Sequence, residues 1–438
     1  MGIFNKFKKD AIWLLPGLRV KRWFILTITG AVLAALGLAF LFKMEPIYFL
    51  LDLVKKIINF VPPEVIGIIL IVAGAIIFIA SWQKTNFSML DVKDTRGQDG
   101  IREVLYRRMK LDHGPKIVAI GGGTGLSTML RGIKKITNNI TAVVTVGDDG
   151  GSSGKLREEM GIIPPGDVRQ CIAALADDDD IVTKLFKYRF DACEGLEGHS
   201  FGNLFITAMS AICGDMVTAI KESSKVLLIR GRVLPATADD MRLTAVMEDG
   251  SIVKGESKIP EAKKKIETLS CEPRNCTANK EALDAIADAD LIIMGPGSLY
   301  TSIIPNLLVE DITRAVDKSK AKKIYVCNVM TQPGETDNYS ASDHVKALFK
   351  HAQMNGASNN NFVDAVLIND SMPENLAKKY EEKDSLPVDV DIAEIKKMGL
   401  EVIIHKLIED NKDGLVRHSP RRLARAIYYW YRKEKKRK

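Results

Sequence analysis

The sequence predicts an α/β fold built on an open, doubly wound and mostly parallel sheet, with a small β-hairpin insertion and two transmembrane helices in front of it. From residue 116 onward, short apolar runs alternate with helical patterns, which is typical of a parallel sheet wrapped by helices. Four of those runs are followed by polar loops that contain glycine. Two long apolar segments precede this region, so we expect a membrane anchor over residues 1–83.

The two apolar segments have the length that a bilayer core requires. Residues 23–42 carry no charge over about 20 positions, and residues 65–82 form a second, slightly shorter segment. Neither has a polar face, so the alternative of two buried core helices fits less well. Lysine and arginine cluster before the first segment and after the second, which predicts a protein of the cytoplasmic membrane with both termini and the main domain on the cytoplasmic side. Residues 84–114 are expected to form a charged linker.

The composition argues against several classes of protein. The 438 residues carry a formal net charge of +7, concentrated at the two ends, which favours a membrane surface over nucleic acid as a partner. Basic and aromatic residues do not interleave as they do in single-strand binders. The six cysteines have no regular spacing, and Cys271 and Cys276 lack a nearby histidine, so we expect reduced thiols and no zinc site.

Six strands are predicted for the main sheet, each an apolar run bounded by polar residues or glycine. They span residues 116–120, 140–146, 291–294, 323–329, 362–368 and 401–404. The segment from about 225 to 260 differs, because its alternating pattern and its Asp249-Gly250 pair predict a β-hairpin. We expect a small insertion on the sheet there and not a separate domain.

The loops after the first four strands predict a ligand crevice. In chain order they read GGGTG, GDDGGSSG, GPGSLYTS and TQPGET. In an open doubly wound sheet, ligands bind outside the carboxyl ends of the strands. Four loops of this kind are therefore expected to converge on one site.

Phosphate binding is the leading hypothesis for the first loop, which comprises Gly121, Gly122, Gly123, Thr124 and Gly125. A glycine turn between a strand and a helix lets backbone N–H groups approach phosphate oxygens, and the helix adds the positive end of its dipole. Leu126 stands where a dinucleotide fingerprint has its third glycine, and no Lys-Ser or Lys-Thr pair follows, which excludes a P-loop. A tight turn without a ligand is the alternative.

The second loop carries carboxylates and hydroxyls. Asp148 and Asp149 stand side by side and are candidate ligands of Mg²⁺ or acceptors for ribose hydroxyls, with turn formation as the alternative role. Ser152 and Ser153 open the next helical pattern, where hydroxyl and backbone donors favour an anion. Asp167, in the motif PPGDVR, either caps the following helix or lines the crevice.

Polar residues of three further motifs complete the predicted ligand site. In GHSFGN, a hydrogen-bonding role for His199 and Asn203 is favoured over acid-base chemistry, because no Ser-His-carboxylate arrangement is visible. The third loop offers a second anion cradle, and Tyr300 could stack there on a base or sugar. Asn328 and Glu335 flank the fourth loop and are expected to contact a polar ligand group. The cradle residues of the third loop are Gly295, Gly297 and Ser298.

These motifs together resemble the YvcK family of gluconeogenesis factors, which is related to the CofD 2-phospho-L-lactate transferases. The resemblance runs from about residue 116 to residue 425 and rests on GGGTG, GDDGGSSGKLR, PPGD, GHSFGNL, GRVLPAT, ADLIIMGPGSLYTSIIPNLLV and NVMTQPGET. It implies a Rossmann-like domain over residues 115–425 that binds a UDP-sugar such as UDP-N-acetylglucosamine and acts in carbon use, peptidoglycan synthesis and cell shape. The predicted transmembrane hairpin departs from the usual soluble members.

Two classes of function follow from the resemblance. The favoured one is a membrane-anchored nucleotide-sugar-binding regulatory factor without turnover, because GRVLPAT and TQPGET resemble the regulatory branch. The alternative is a transferase in which Asp148 or Asp149 places Mg²⁺ on a guanosine diphosphate-type donor while a phospholactyl group moves to a deazaflavin. Mg²⁺ is the candidate cofactor, and no redox cofactor is expected. Regulatory protein partners and a homo-oligomer stay open.

The C-terminal segment predicts a helix and a basic tail. Ser419 and Pro420 mark a helix start, and residues 426–438 combine lysine and arginine with tyrosine and tryptophan. One interpretation is a packed terminal helix with a solvated basic end. The other is contact with an anionic membrane surface.

Overall fold

The chain consists of two compact units in a computed structural model, Met1–Ile101 and Arg102–Lys438. In the first unit the structure describes scattered helical positions between residues 28 and 74. In the second it describes residues 111–437 except for 177–180, 192–194, 359–361, 371–383 and 409–416.

Most of each predicted transmembrane segment, residues 23–42 and 65–82, lies outside the described residues. At the positions that are described, no helix combines the length and the apolar composition needed to cross a bilayer. The predicted linker falls almost entirely outside the described residues as well, up to residue 110.

The second unit is built on a sheet of seven strands that all pair in parallel. In chain order its strands are β1 (Ile117–Gly121), β2 (Ile140–Val144), β3 (Arg232–Pro235), β7 (Leu291–Met294), β8 (Lys322–Val326), β9 (Ala365–Asn369) and β10 (Glu401–His405). A second sheet contains β4 (Arg242–Met247), β5 (Ile252–Lys254) and β6 (Ile266–Glu272). The predicted α/β class and parallel sheet are confirmed, and the six predicted strands match within a few residues at their ends.

The strand order makes the sheet Rossmann-like and fixes where its crevice lies. Across the sheet the order is β10-β9-β8-β7-β1-β2-β3, so the chain builds outward in one direction from β1 and in the other from β7. The topological switch point therefore lies between β1 and β7, and a ligand crevice is expected outside their carboxyl ends. Strands β1 and β2 are buried along their whole length, which is why their sequences are continuous apolar runs.

The segment from 225 to 260 holds more than the predicted hairpin. The hairpin itself is present, since β4 pairs with β5 in antiparallel register and Gly250 adopts φ +80° in the turn. However, β3 belongs to the main sheet, where it pairs with β2 at the edge, and a third strand, β6, completes the insertion. The assignment of the whole segment to the insertion was therefore wrong. The strand β3 was missed because it is short and ends in proline, which an edge strand tolerates.

Helices connect and cover the strands, and the last one packs on the core. They are α1 (Gly123–Ile133), α2 (Gly151–Met160), α3 (Gly166–Leu175), α4 (Ile181–Lys187), α5 (Phe201–Cys213), α6 (Met216–Val226), α7 (Lys258–Glu261), α8 (Lys280–Ala287), α9 (Ile304–Leu307), α10 (Glu310–Lys318), α11 (Ala341–Met354), α12 (Ile392–Lys397) and α13 (Pro420–Arg437). The segment expected to form a tail after residue 425 is continuous with α13. This helix buries Leu423, Ile427 and Trp430, so it packs on the core, while contact of its basic end with a membrane stays a prediction.

Candidate functional site

A cavity of about 750 Å³ lies at the carboxyl ends of β1, β2, β7 and β8. This volume is in the range of small-molecule sites. All four of the polar loops predicted from the sequence contribute to it. Its lining includes Gly122, Gly123, Thr124, Gly125, Asp148, Asp167, Gln170, Glu256, Pro296, Gly297, Ser298, Thr301, Asn328, Gln332 and Arg417.

The first glycine loop touches the third loop, and glycine is needed at the contact. A Cβ atom built on Gly125 would overlap the carbonyl oxygen of Pro296 and lie 2.7 Å from Cα of Gly297. A Cβ atom on Gly122 would overlap the carboxylate of Asp167. Gly121, by contrast, is the last residue of β1, and a Cβ atom there would meet only the Leu126 side chain at 3.6 Å. The two loops at the switch point thus form one continuous wall.

Helix α1 begins at the floor of the cavity. Its N-cap residue, Gly122, provides no side-chain cap, and Gly123 follows with φ +59°. The carboxyl group of Asp167 accepts a hydrogen bond from the Gly123 N–H, so a side-chain oxygen already occupies part of the helix N-terminus. Thr124 donates its hydroxyl to Gln170 Oε1 at 3.1 Å, which ties α1 to α3 beside the cavity.

Three acidic side chains line the cavity near the end of β2. Burial first, and then the nearby charge of Asp148, raise the pKa of Asp167 to about 7. Burial also raises the pKa of Asp148 itself. The pKa of Glu256 is raised to about 8 by burial and by the negative charge of Asp148. These carboxyl groups repel one another, so the site favours protonation of one or more of them.

Asp149 does not face the cavity, although the sequence suggested it as a metal ligand. Its two carboxylate oxygens accept the backbone N–H groups of Glu256 at 2.9 Å and Ser257 at 2.8 Å. Asp149 therefore holds the loop between β5 and α7. Across the part of the chain that the structure describes, no group of three or more histidine, cysteine, aspartate or glutamate side chains could hold a metal ion.

A buried arginine fixes the second loop from behind. The Arg157 side chain is almost fully buried and donates to Asp240 Oδ1 at 2.6 Å, to the Met241 carbonyl at 2.7 Å and to the Asp148 carbonyl at 3.3 Å. These bonds connect α2, the entry to the insertion and the backbone of Asp148. The position of the Asp148 carboxylate thus depends on contacts outside its own loop.

The serine and histidine residues form a separate cluster that does not line the cavity. The Ser152 hydroxyl lies 2.9 Å from His199 Nδ1 and accepts the Asn203 amide at 3.0 Å. Ser153 is buried beside Gly166 and Asp148. These hydrogen bonds join protein side chains, so Ser152, His199 and Asn203, which were predicted as ligand contacts, lie outside the cavity lining.

The third and fourth loops are joined by a chain of side-chain hydrogen bonds. Asn328 Oδ1 accepts the Gly297 N–H at 3.3 Å, and its amide donates to Gln332 Oε1 at 3.1 Å. Gln332 then donates to the Ser298 hydroxyl at 2.6 Å. Gly295, with φ +80°, turns the chain at the end of β7 and does not line the cavity.

Two predicted ligand contacts are buried under the site. Tyr300 is 2% exposed, and its hydroxyl pairs with that of Tyr339 at 2.9 Å, so its ring is packed in the core and cannot stack on a ligand. Glu335 is also buried and accepts the Thr301 hydroxyl at 3.2 Å as well as the N–H groups of residues 300 and 301. Burial raises the pKa of Glu335 to about 7. Glu335 therefore supports the third loop from below.

Several cavity residues were not predicted from the sequence. Glu256 stands at the end of a hairpin pattern. Gln170 and Gln332 lie in or next to motifs in which other residues were predicted to contact the ligand. Arg417 and His418 precede α13, far from any strand-loop-helix pattern. Burial lowers the pKa of His418 to about 4. The glycines of GGGTG and GPGSLYTS gave a local signal, whereas these residues reach the cavity only through the tertiary fold.

The fold and cavity define a Rossmann-like α/β protein with a cavity, lined by glycine loops and carboxylates, at the switch point of the sheet. The chain belongs to the CofD family, because the family model described as 2-phospho-L-lactate transferase CofD matches residues 117–408.

Relatives within this family carry a different name. The gluconeogenesis factor of Bacillus subtilis is 50% identical over 311 residues, covering 71% of this chain and 96% of its own. A relative from a Nostoc species is 47% identical over 424 residues, 96% of this chain and 92% of its own, so its similarity extends into the N-terminal unit. A crystal structure of a Bacillus halodurans protein superposes with a TM-score of 0.69 at 45% identity, covering 72% of this chain and 99% of that one. The chain is thus similar to YvcK-like gluconeogenesis factors.

Proposed function

We propose that the cavity binds a nucleotide sugar of the UDP-N-acetylglucosamine type and that the protein is a non-catalytic regulatory factor linking carbon metabolism to cell-wall synthesis and cell shape. The observation that carries this proposal is the junction of two glycine loops at the switch point, beside the N-terminus of α1. Backbone N–H groups and a helix dipole at such a point suit a diphosphate. The name of the Bacillus subtilis relative supports the metabolic role.

Magnesium fits the acidic end of the cavity. Asp148 and Asp167 would repel a diphosphate unless a cation lay between them. Mg²⁺ is commonly bound by one or two carboxylates together with ligand phosphates. These two side chains would hold the ion, which would neutralise the diphosphate, while the glycine loops orient it.

Thermal shift and calorimetry with a panel of nucleotide sugars test the binding. A ligand that binds only the folded state adds about 2.7 kcal/mol of stability at a hundredfold excess over Kd, so a clear rise of Tm is expected with UDP-N-acetylglucosamine and Mg²⁺. Chromatography of the same samples should show intact ligand after long incubation. No shift with any UDP-sugar at millimolar concentration would contradict the proposal, and released UDP would contradict its non-catalytic part.

A transferase is the second candidate, and the name of the matching family model favours it. In this case a guanosine diphosphate-type phospholactate donor would occupy the cavity, and a deazaflavin hydroxyl would attack the phosphorus that bears the lactyl group. A new P–O bond to the deazaflavin would form, the P–O bond of the diphosphate would break, and guanosine monophosphate would leave. Incubation of the protein with both compounds and Mg²⁺, followed by mass spectrometry, separates the candidates. A phospholactyl-deazaflavin product would replace the regulatory proposal.

Anchoring of the domain to the cytoplasmic membrane is a further part of the proposal. It rests on the uncharged residues 23–42 and 65–82. It is supported by the described apolar side chains of the first unit, since Leu33, Phe40 and Leu41 are 64%, 71% and 77% exposed. After cell fractionation the full chain should stay in the membrane pellet during an alkaline carbonate wash. Release of the full chain by that wash would contradict anchoring.

A further inference from the structure

The three-stranded insertion contributes one side chain to the cavity, Glu256. It stands after β5, next to Gly255, whose φ of +105° turns the chain toward the end of β2. The Glu256 side chain lines the cavity together with Asp148 and Asp167. Its carboxyl group accepts no hydrogen bond from the residues that the structure describes, so it is available to a ligand.

Asp149 sets the position of Glu256. Its carboxylate accepts the N–H groups of Glu256 and Ser257 at 2.9 and 2.8 Å, across more than a hundred residues of chain. The contact is close, because a Cβ atom on Gly255 would lie 2.7 Å from Asp149 Oδ2. The backbone on both sides of the Glu256 side chain is therefore fixed to the loop that follows β2.

The location of this carboxyl group indicates what it would recognise. In doubly wound sheets an acidic residue near the end of the second strand accepts hydrogen bonds from ribose hydroxyls. Phosphate oxygens are acceptors and carry negative charge, so they do not suit an acidic acceptor. A sugar ring supplies several hydroxyl donors. Asp149 follows the second strand, where such an acidic residue is expected, but its carboxylate already accepts two backbone N–H groups.

We propose that Glu256 accepts hydrogen bonds from the hydroxyls of a sugar ring in the nucleotide ligand, and that Asp149 is the residue that positions it. The proposal rests on the nucleotide-sugar function proposed above. The ring could be the ribose or the second sugar, and both would present the same donors to a carboxylate. Glu256 would then be a specificity residue supplied by the insertion.

Calorimetry with UDP, 2′-deoxy-UDP and UDP-N-acetylglucosamine in magnesium buffer tests the role of Glu256. At about pH 9, where Glu256 with its pKa of about 8 is ionised, Glu256→Ala should weaken binding of UDP-N-acetylglucosamine by about ten- to hundredfold, the usual effect of losing hydrogen bonds to a charged group. If Glu256 accepts a hydrogen bond from the ribose, the wild-type protein binds UDP more tightly than 2′-deoxy-UDP and the variant binds both equally. If Glu256 accepts a hydrogen bond from the second sugar, the variant binds UDP with the affinity of the wild-type protein. Glu261→Ala, an exposed site on the same insertion, is the matched control and should bind all three normally.

A double-mutant cycle tests the positioning role of Asp149. Asp149→Asn should weaken UDP-N-acetylglucosamine binding in the wild-type background and have little further effect in the Glu256→Ala background, because both changes remove the same contact. Glu256→Gln, which keeps one acceptor oxygen, should recover part of the affinity. Equal losses from Asp149→Asn in both backgrounds would overturn the positioning role.

The outcomes separate this inference from the proposed function. Wild-type binding of the three ligands together with unchanged affinities in Glu256→Ala would overturn the role of Glu256 and leave the nucleotide-sugar proposal standing. Absence of binding by the wild-type protein would overturn both. Melting temperatures of each variant show whether a loss of affinity comes from misfolding, and Glu256→Gln keeps the test valid if Glu256→Ala is unstable.

Discussion

Single glycines decide whether the two loops at the switch point can meet. Gly125→Ala places a methyl group against the backbone of Pro296 and Gly297, which cannot move as easily as a side chain. We expect a loss of about 1–3 kcal/mol in the free energy of unfolding, as for other overpacked sites. Ligand affinity should also fall, because the two loops that line the cavity are pushed apart. Denaturant unfolding and calorimetry measure the two effects.

Gly121→Ala is the matched control for that change. Its added methyl group would meet only the Leu126 side chain at an ordinary distance of 3.6 Å. We expect near wild-type stability and ligand binding. If Gly121→Ala and Gly125→Ala behave alike, the contact between the loops does not limit binding.

The two neighbouring aspartates are predicted to differ in their dependence on magnesium. Asp148 lines the cavity, whereas the Asp149 carboxylate is occupied by two amides. Asp148→Asn should therefore weaken UDP-N-acetylglucosamine binding more in Mg²⁺ than in a chelator, because it removes an ionised ligand of the cation. Asp149→Asn should cause the same fractional loss in both buffers. Calorimetry with and without EDTA distinguishes them, and equal losses for Asp148→Asn would remove it from the metal site.

At the scale of secondary-structure elements, the terminal helix α13 should be part of the cooperative core. Trp430 is 3% exposed and donates to Glu401 Oε2 at 3.0 Å, while the adjacent Tyr429 is 70% exposed. Trp430→Ala should cost about 3–5 kcal/mol, as other large buried aromatics do. Tyr429→Ala should change stability by less than about 0.5 kcal/mol. Urea unfolding of both variants checks this, and similar small effects would mean that the helix is not packed as described.

Strands and loops differ in how far the sequence predicts them. β7 was predicted with its observed bounds because the run LIIM is fully buried and ends at the turn residue Gly295. β3 was not, because an edge strand of four residues that ends in proline has little pattern of its own. The third loop was predicted, but Tyr300 lies on its buried side. Sequence spacing shows which strand a residue follows and not which way its side chain points.

Glu256 shows the other limit of sequence analysis at this scale. It is separated from Asp149 by 107 residues, and the hydrogen bond from its backbone to that aspartate exists only after the insertion folds back on the sheet. Nothing in the pattern RLTAVMEDGSIVKGE predicts the contact. The glycine loops were found because they are local strand-to-helix turns, whereas the acidic end of the cavity is assembled from three distant segments.

For the whole molecule, the buried carboxyl groups predict that stability falls as the pH rises. In the folded chain the pKa values of Asp167 and Glu335 are raised to about 7 and that of Glu256 to about 8, against 3.8 for an ordinary aspartate and 4.5 for a glutamate. The folded state thus holds protons that the unfolded state releases. This contribution is fully present below the unfolded pKa values and is lost as the pH rises through 7 to 8, by at most about 1.4 kcal/mol per pH unit for each proton.

Melting temperatures of the ligand-free protein between pH 6.5 and 8.5 test this expectation. Tm should fall across the range, and Glu335→Gln should reduce the slope, whereas the exposed Glu261→Gln should not. The interval avoids His418, whose pKa is lowered to about 4 and which therefore destabilises the fold only below its unfolded value of 6.5. A Tm that is constant or rises with pH would show that these carboxyl groups do not carry the expected protons.

The exposed face of α13 is predicted to bind an anionic membrane surface. Its buried face packs on the core, yet Arg432, Lys433, Lys435, Lys436 and Arg437 are exposed. An anionic leaflet attracts such residues by about 1 kcal/mol each near its surface. Since the proposed hairpin already tethers the domain, even a weak contact would act at high effective concentration and could set how the cavity faces the bilayer.

Cosedimentation of residues 84–438 with phosphatidylserine vesicles tests the contact without the hairpin. The Bacillus halodurans crystal structure matches 72% of this chain over 99% of its own, so a domain of this extent folds alone in a relative. Deleting residues 426–438 would remove Trp430 from the core, so the better variant replaces Lys433, Lys435 and Lys436 with glutamine. We expect the fraction of protein that pellets with the vesicles to decrease as the salt concentration rises. In this variant the affinity for the vesicles should be about a hundredfold lower. Glutamine at the exposed Lys396 and Lys397 of α12 is the control, and salt-independent pelleting that is equal in all three proteins would show that the basic face does not bind the membrane.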